Sequence, residues 1–330
     1  MTGHLAAPAT LRVAVVQGES RAASDGRWDN TVRLAERAAD SGARLIVFPE
    51  TWLPGYPIWL DVCRDLNLWD SPALKSVFAS YAQASVALGD ETCHALTALA
   101  RRLRCALVVG LSERGRAGDG PGTLYNSVLT FGEDGTLLNH HRKLMPTHTE
   151  RLVWGLGDNA GVRTTIVAGV PVGSLICWEH WMPLPRQALH EAGEVIHAAL
   201  WPMVKEMNHV ASRHYAFEGR CFVLAAGAIM RTDALPAGLT LADGMATNGL
   251  LLRGGSAVIG PDGSYLVDPV YDREEVLVAD LPLRRVVEEQ MTLNVAGHYS
   301  RPDCYQLRTI GAAPRSGSPP VERPLPGTNA

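Results

Sequence analysis

The feature that most constrains this chain is an alternation of short, β-branched apolar runs with amphipathic helical patterns. The runs Leu11 to Gln17 and Arg44 to Phe48 have the length and composition of strands, and the stretch from about Arg27 to Asp40 has the apolar spacing of a helix. This order predicts a β-α-β unit. Because strands and helices keep alternating along the chain, the sequence predicts an α/β protein whose helices cover the faces of sheets.

Capping residues give the clearest predicted helix boundaries. Ser71 followed by Pro72 predicts a helix that begins there and ends near Leu88, and Asp90 predicts a second helix that ends at Arg104. The Gly-rich stretch 115–122 lacks the Gly-Lys-Ser/Thr ending of a phosphate loop and is predicted to be a surface connection. Further strands are predicted over residues 105–111, 124–131, 137–142, 164–167, 172–177, 195–200, 222–229, 254–259, 264–268 and 276–281, and further helices over 184–192, 208–219 and 282–290.

Composition limits the classes of function. The chain has 330 residues, 46% hydrophobic and 19% charged, with a net charge of −4 and no long basic run. The basic surface that nucleic acids and acidic membranes require is therefore absent, and a small-molecule function is expected. Residues 1–310 are predicted to form a single domain, and residues 311–330, rich in Pro, Gly and Ser, a flexible tail.

The N-terminal stretch and the cysteines predict a cytoplasmic protein. Residues 1–10 lack the charged start and apolar core of a signal peptide, and no apolar run approaches the ~18 residues of a spanning helix. The cysteines lie far apart, with no CxxC pair, which is typical of reduced thiols rather than of a disulfide framework or a zinc site. They are Cys63, Cys93, Cys105, Cys177, Cys221 and Cys304.

Three polar side chains follow predicted strands at the point where each strand ends. Glu50 follows the strand at Phe48, Lys143 follows Arg142, and Cys177 ends an apolar run. Each has an ordinary interpretation, as a solvated carboxylate, a surface charge and a small core thiol. Because ligands of α/β sheets bind at strand ends, the alternative is that the three side chains converge on one site.

The segments around these residues resemble the catalytic segments of the nitrilase (carbon-nitrogen hydrolase) superfamily. They are Phe48-Pro49-Glu50-Thr51, His141-Arg142-Lys143-Leu144-Met145-Pro146 and Cys177-Trp178-Glu179-His180-Trp181, and Gly297-His298-Tyr299-Ser300-Arg301-Pro302-Asp303 resembles a late segment of the nitrilase branch. The resemblance spans about residues 11 to 310. It implies a four-layer α-β-β-α sandwich of the nitrilase type.

The resemblance also implies residue roles. Glu50, Lys143 and Cys177 match the Glu-Lys-Cys catalytic triad of the family, and Glu150 matches a second glutamate that follows the lysine by seven residues. Tyr56 matches a substrate-pocket position, although a Tyr between two prolines is equally typical of a packed loop. Trp178 and His180, next to the cysteine, are further candidates for substrate binding. No cofactor is implied, and the histidines lack metal-binding spacing.

The function that the resemblance implies is hydrolysis of an organic nitrile to the carboxylic acid and ammonia, through a covalent thioimidate and thioester on Cys177. An amidase or N-carbamoyl hydrolase of the same superfamily is the nearest alternative, and an inactive filament or binding scaffold is another. The family further implies self-association, as a homodimer or a larger spiral oligomer. The sequence leaves open whether the nitrile is aliphatic, aromatic or arylaceto, and how much amide accompanies the acid.

Overall fold

Two mixed β-sheets form the centre of the structure, a computed structural model that describes residues 8–19, 27–64, 69–120 and 122–310. The strands are β1 (Thr10–Gln17), β2 (Leu45–Val47), β3 (Val86–Ala87), β4 (Ala106–Arg114), β5 (Leu124–Phe131), β6 (Leu137–Arg142), β7 (Thr165–Val167), β8 (Val170–Ile176), β9 (Ile196–Leu200), β10 (Phe222–Ala226), β11 (Ile229–Arg231), β12 (Leu250–Ile259), β13 (Tyr265–Tyr271) and β14 (Glu275–Pro282). The helices are α1 (Arg27–Asp40), α2 (Trp59–Val62), α3 (Pro72–Ala84), α4 (Glu91–Leu103), α5 (Pro183–Glu191), α6 (Glu206–Gly219) and α7 (Arg284–Gln290).

The strand order separates the two halves of the chain. The first sheet has the order β14-β1-β2-β4-β5-β6, with β3 paired to β4, and the second has the order β11-β12-β10-β9-β8-β7, with β13 paired to β12. Strand β2 is parallel to β4, and two antiparallel pairings then return β6 to the direction of β2. The carboxyl ends of β2 and β6 therefore lie at the same edge of the first sheet.

Burial along β1 shows why the sheets are layered. Val13 and Val15 belong to a core shared with the second sheet, whereas Ala14 and Val16 belong to a core shared with α1 and α4. Both faces of the strand are buried, so its sequence is continuously apolar rather than alternating. On the second sheet, α5 and α6 contribute side chains to the core, among them Tyr215. The four-layer α-β-β-α sandwich is confirmed.

The predicted caps are confirmed, and some element bounds differ from the prediction. The Ser71 hydroxyl accepts from the Leu74 N–H, and the Asp90 carboxylate accepts from the Cys93 N–H. Helix α3 ends at Ala84 rather than near Leu88, because residues 86–87 pair with the end of β4. The short helix α2 was not predicted, since four residues carry no helical period.

The predicted strand over residues 222–229 is two strands, β10 and β11. The chain between them lies against β12, where the Gly227 N–H donates to the Ser256 hydroxyl. A Cβ at Gly227 would stand 2.4 Å from the Gly254 carbonyl oxygen, so only glycine permits this close approach.

The described residues include no helix with the length and apolar character needed to cross a bilayer. The tail predicted over residues 311–330 lies outside the described residues, so its flexibility stays a prediction.

Candidate active site

The three candidate residues at strand ends meet in one buried place. Glu50 leaves the carboxyl end of β2, Lys143 follows β6 and Cys177 follows β8 of the opposite sheet. The Glu50 backbone N–H donates to the carbonyl of Trp201, which follows β9, so the first loop is attached to the second sheet. Carboxylate oxygens of Glu50 and Glu150 and the Sγ of Cys177 all lie within 4.8 Å of one another.

Lys143 lies between the two carboxylates. Its Nζ donates to Glu50 Oε1 at 3.1 Å and to Glu150 Oε2 at 2.7 Å, and all three side chains are buried. Glu150 is held independently, since its Oε2 also accepts from the Thr147 N–H at 2.7 Å. The geometry therefore fixes one ammonium against two carboxylates without solvent between them.

Cys177 is presented by a sharp turn. Strand β8 ends at Ile176, and residues 177–181 form a turn of 3₁₀ helix in which Cys177 has a φ of 50°. This left-handed backbone costs a residue with a Cβ about 1 to 3 kcal/mol, and such conformations cluster at functional sites. The Trp178 N–H is directed at the cysteine sulfur. The turn thus places the thiol beside a backbone N–H donor.

The charges of the site perturb its ionisation. Burial, together with the charge of Glu150, raises the pKa of Glu50 to about 7 against the opposing effect of Lys143. Burial raises the pKa of the Cys177 thiol well above its usual value, although Lys143 counteracts part of this effect. Burial alone would lower the pKa of Lys143, but Glu50, Cys177 when it is ionised, and Glu150 outweigh burial and raise the pKa. The site therefore holds a neutral thiol on Cys177, a carboxylate on Glu50 that titrates near neutral pH, and a permanently charged ammonium on Lys143.

The site opens into a cavity of about 650 Å³. Cys177 and Glu150 lie in its wall, together with Tyr56 and Trp178, two of the predicted substrate-binding residues. The rest of the wall has an apolar part, formed by Ile58, Val62, Trp181, Met203, Met207, Met245 and Leu250 to Leu252, and a charged part that includes Asp61, Lys205, Glu206 and Arg253. A small molecule with an apolar body and one reactive polar end suits such a cavity.

Tyr56 and Trp178 contribute to the cavity in different ways. The Tyr56 hydroxyl donates to Glu150 Oε1 at 3.1 Å, and burial raises its pKa well above the usual value, so the hydroxyl stays protonated. The Trp178 side chain is 54% exposed, and its ring packs against Trp181 with centroids 4.7 Å apart. Substrate contact by either residue stays a prediction.

His180 is buried and is not among the residues that line the cavity. Its Nδ1 lies 2.7 Å from the Cys177 carbonyl oxygen, and its Nε2 lies 2.9 Å from Nε2 of His197. Burial lowers the pKa of His180 to about 3, so the ring is neutral and its Nδ1–H donates to the carbonyl. The structure therefore places His180 beneath the backbone of Cys177.

Two polar residues of the site were not among the predicted site residues. Asn126 lies in the buried strand β5 and donates to Glu50 Oε1 at 2.6 Å. Asp61, in α2, is open to the cavity and accepts from the Thr149 hydroxyl at 2.7 Å. An amide inside a predicted strand rich in apolar residues is the signal that would have identified Asn126, because a buried polar group needs a partner. Asp61 carries no comparable signal.

The donor types at the site also permit a cation, since Glu50, Glu150 and Cys177 could ligate a metal ion. The Lys143 ammonium is hydrogen-bonded to both carboxylates and already supplies the positive charge there. The residues present therefore suit an ammonium between the carboxylates better than a metal ion.

Comparisons with known proteins found similar sequences over most of the chain. Residues 12–289 match the family model described as carbon-nitrogen hydrolase. A nitrilase of Bradyrhizobium diazoefficiens is 36% identical over 301 residues, which cover 91% of this chain and 92% of the relative. A nitrilase of Pseudomonas syringae pv. syringae is 38% identical, covering 86% of this chain and 84% of the relative.

A solved structure shares the fold. The carbon-nitrogen hydrolase from Helicobacter pylori G27 superposes with a TM-score of 0.65 at 20% identity, over 86% of this chain and 93% of that chain. The family model, the two relatives and this shared architecture show that the chain belongs to the carbon-nitrogen hydrolase family.

Proposed function

We propose that this protein is a nitrilase that hydrolyses an organic nitrile to a carboxylic acid and ammonia. The observation that carries the proposal is that the Cys177 thiol and the Glu150 carboxylate, both in the wall of the cavity, meet the buried Glu50 carboxylate and Lys143 ammonium directly behind them. Relatives named nitrilases that match most of the chain support it.

Glu50 acts as the base that activates Cys177. The raised pKa of the thiol means that little thiolate exists at neutral pH, so the proton must leave as the sulfur attacks. Glu50 Oε2 is buried and makes no hydrogen bond with the described residues, which leaves it free to accept that proton. A pKa of about 7 matches the pH at which a general base works best.

The reaction proceeds in two stages. The sulfur adds to the nitrile carbon, and Glu50 passes the thiol proton to the nitrogen, which gives a thioimidate. Water then adds, ammonia leaves and a thioester remains. A second water, deprotonated by Glu50, cleaves the carbon–sulfur bond, releases the acid and restores the thiol. Splitting one slow hydrolysis into two covalent steps is the benefit of a nucleophile.

Lys143 and the Trp178 N–H stabilise the negative charge that develops. The pKa of Lys143 is raised, so the ammonium holds its proton throughout and acts as a fixed charge rather than as an acid. Loss of one such donor commonly costs about 10²-fold or more in rate. Glu150 holds the ammonium in place through its 2.7 Å contact.

Residues around the triad have supporting roles. Tyr56 orients Glu150 and borders the substrate, and Trp178 forms part of the cavity wall against the substrate body. His180 was predicted to bind substrate. Its position favours a role in holding the Cys177 carbonyl instead.

A matched pair of substrates tests the proposal. Ammonia release is measured from a nitrile and from the amide of the same carbon skeleton, across aliphatic, aromatic and arylaceto members. We expect the nitrile to be the faster substrate in at least one pair, with the acid as the main product. Turnover of amides alone would show an amidase, and release from neither, with no adduct on Cys177 by mass spectrometry, would show an inactive scaffold.

We also propose that copies of this chain associate and that the protein works in the cytoplasm. Exposed apolar side chains on α5 and α6 support association: they are Leu184, Met207, Val210 and Phe217. Sedimentation velocity tests it, and a monomer at micromolar concentration would contradict it. The wide spacing of the cysteines, with no CxxC pair, suits a reducing compartment, and cell fractionation tests this assignment.

A further inference from the structure

The carboxylate of Glu179 is a buried charge that takes no part in the proposed chemistry. It accepts from the Leu144 N–H at 2.8 Å and from the Ile176 N–H at 2.8 Å. His141 Nε2 is the third partner, and it lies 3.0 Å from Glu179 Oε1 and 2.9 Å from Glu179 Oε2. Every contact is made without solvent, since the Glu179 and His141 side chains are fully enclosed.

Each of the two backbone donors belongs to a residue next to a residue of the candidate site. Leu144 directly follows Lys143 at the end of the first sheet, and Ile176 directly precedes Cys177 at the end of the second. Described strands of the two sheets form no ladder with each other. A single carboxylate therefore bridges the loop that carries the ammonium and the turn that carries the thiol.

We propose that Glu179 is a positioning residue that sets the distance between Lys143 and Cys177 by holding both backbones. The proposal rests on the proposed function for the meaning of that distance, but its test includes a measurement that needs no substrate. Positioning matters because a displacement of about 1 Å in a catalytic group can cost about 10²-fold in rate.

Ionisation of Glu179 is consistent with this role. Burial alone would raise its pKa, but His141 and the two backbone N–H donors outweigh burial and lower it. The group therefore stays a carboxylate, with acceptors for two backbone donors at once. A carboxamide cannot replace it, because its NH₂ group would face one of the two N–H groups and leave that donor unpaired.

Glu113 offers a matched control. Its carboxylate, on β4, is also fully buried, but its partners are all side chains: Arg142, His140 and Ser127. It holds no backbone donor next to a catalytic residue. Replacing it removes a comparable buried charge from the same region of the first sheet and leaves the bridge between the sheets in place.

The experiment compares Glu179→Gln with Glu113→Gln. The measurements are the thermal midpoint, kcat and KM for a nitrile, and the rate at which iodoacetamide alkylates Cys177, followed by peptide mass spectrometry. Cys304, the exposed thiol, is the internal reference for the reagent. Because alkylation needs no nitrile, it reports on the bridge even if nitriles are not the substrates.

We expect Glu179→Gln to lower kcat by about 10²-fold with KM within about threefold, since the substrate cavity is intact while the reacting groups are displaced. Alkylation of Cys177 should fall by about 10-fold or more at neutral pH, and its pH profile should move to higher pH, because a displaced Lys143 no longer favours the thiolate. Alkylation of Cys304 should not change. Glu113→Gln should lower the thermal midpoint with kcat and both alkylation rates within about twofold.

Unchanged kcat and Cys177 alkylation in Glu179→Gln would overturn the proposal, as would an equal loss of kcat in Glu113→Gln. If Glu179→Gln does not fold, Glu179→Asp replaces it. This variant keeps the charge but is one methylene shorter, so it cannot reach both N–H groups. A folded Glu179→Asp with wild-type kcat and alkylation would also overturn the proposal.

Discussion

Hydrolysis by this protein is expected to rise with pH across neutrality, because Glu50 must be ionised before it can take the proton of Cys177. The pKa of Glu50 is raised to about 7 by burial and by Glu150. With that value, about 9% of Glu50 is ionised one pH unit below the pKa and about 91% one unit above it. The structure therefore predicts a rise of about tenfold in kcat/KM over these two pH units.

The same electrostatics predict a plateau above the rise. The pKa of Lys143 is raised, so the ammonium keeps its charge through the alkaline range in which Glu50 is fully ionised. The Cys177 thiol stays protonated there, since burial raises its pKa well above the usual value. We therefore expect one ascending limb and no descending limb up to about pH 9.

The assay is ammonia release at subsaturating nitrile from about pH 5.5 to about pH 9, with thermal unfolding recorded at each pH to exclude loss of folded protein. Glu50→Gln should abolish the limb together with most of the rate. In the wild type, the Lys143 ammonium lowers the pKa of Glu50. Lys143→Met removes this effect and should therefore move the residual limb to higher pH. A flat wild-type profile, or a limb that survives unchanged in Glu50→Gln, would refute Glu50 as the base.

The remaining predictions concern the nucleophile, the second carboxylate and acid stability. Cys177→Ala should abolish ammonia release and leave the thermal midpoint within a few degrees of wild type, and measurable turnover by this variant would exclude a covalent mechanism. Tyr56→Phe should lower kcat about tenfold, since Glu150 loses a donor worth about 1.4 kcal/mol, and an unchanged kcat would remove Tyr56 from the site. Burial would raise the pKa of Glu113, but its hydrogen bonds, above all those from His140 and Arg142, lower it from 4.5 to about 2. The stability that ionised Glu113 contributes is present above pH 4.5 and is lost as pH falls through about 2. Glu113→Gln should therefore lower the free energy of unfolding at neutral pH by about 3 kcal/mol and flatten its acid dependence, as urea titrations can measure.

Local sequence signals were sufficient for most elements of the fold. The side chains of Ser71 and Asp90 accept hydrogen bonds from the first turns of α3 and α4, so the residues next to each other in sequence are enough to predict where these helices begin. The end of α3 was harder to place. Residues 86–87 become a strand only because the end of β4, more than twenty residues later, offers a partner. Long-range pairing of this kind carries no local signal.

The site shows the same division between local and long-range information. The positions of Glu50, Lys143 and Cys177 at strand ends follow from the apolar runs that precede them, and their roles were implied by family resemblance. The Glu179 contact with Ile176 lies within one turn, but its contact with Leu144 depends on how the two sheets face each other, and no spacing in the chain encodes that arrangement. Asn126 could have been predicted from the sequence, because an amide in a buried strand requires a hydrogen-bond partner.

The number of charges in the site explains how one carboxylate becomes a base. A single ammonium, that of Lys143, faces the buried carboxylates of both Glu50 and Glu150. Burial penalises the ionised form of Glu50, and full ionisation of both carboxylates leaves one negative charge without a partner, so Glu50 acquires the proton affinity of a base near neutral pH. When Glu50 takes the proton of Cys177, the unpaired negative charge moves to the sulfur and then to the substrate nitrogen. It remains in the electrostatic field of Lys143, and the net charge of the site does not change during the attack.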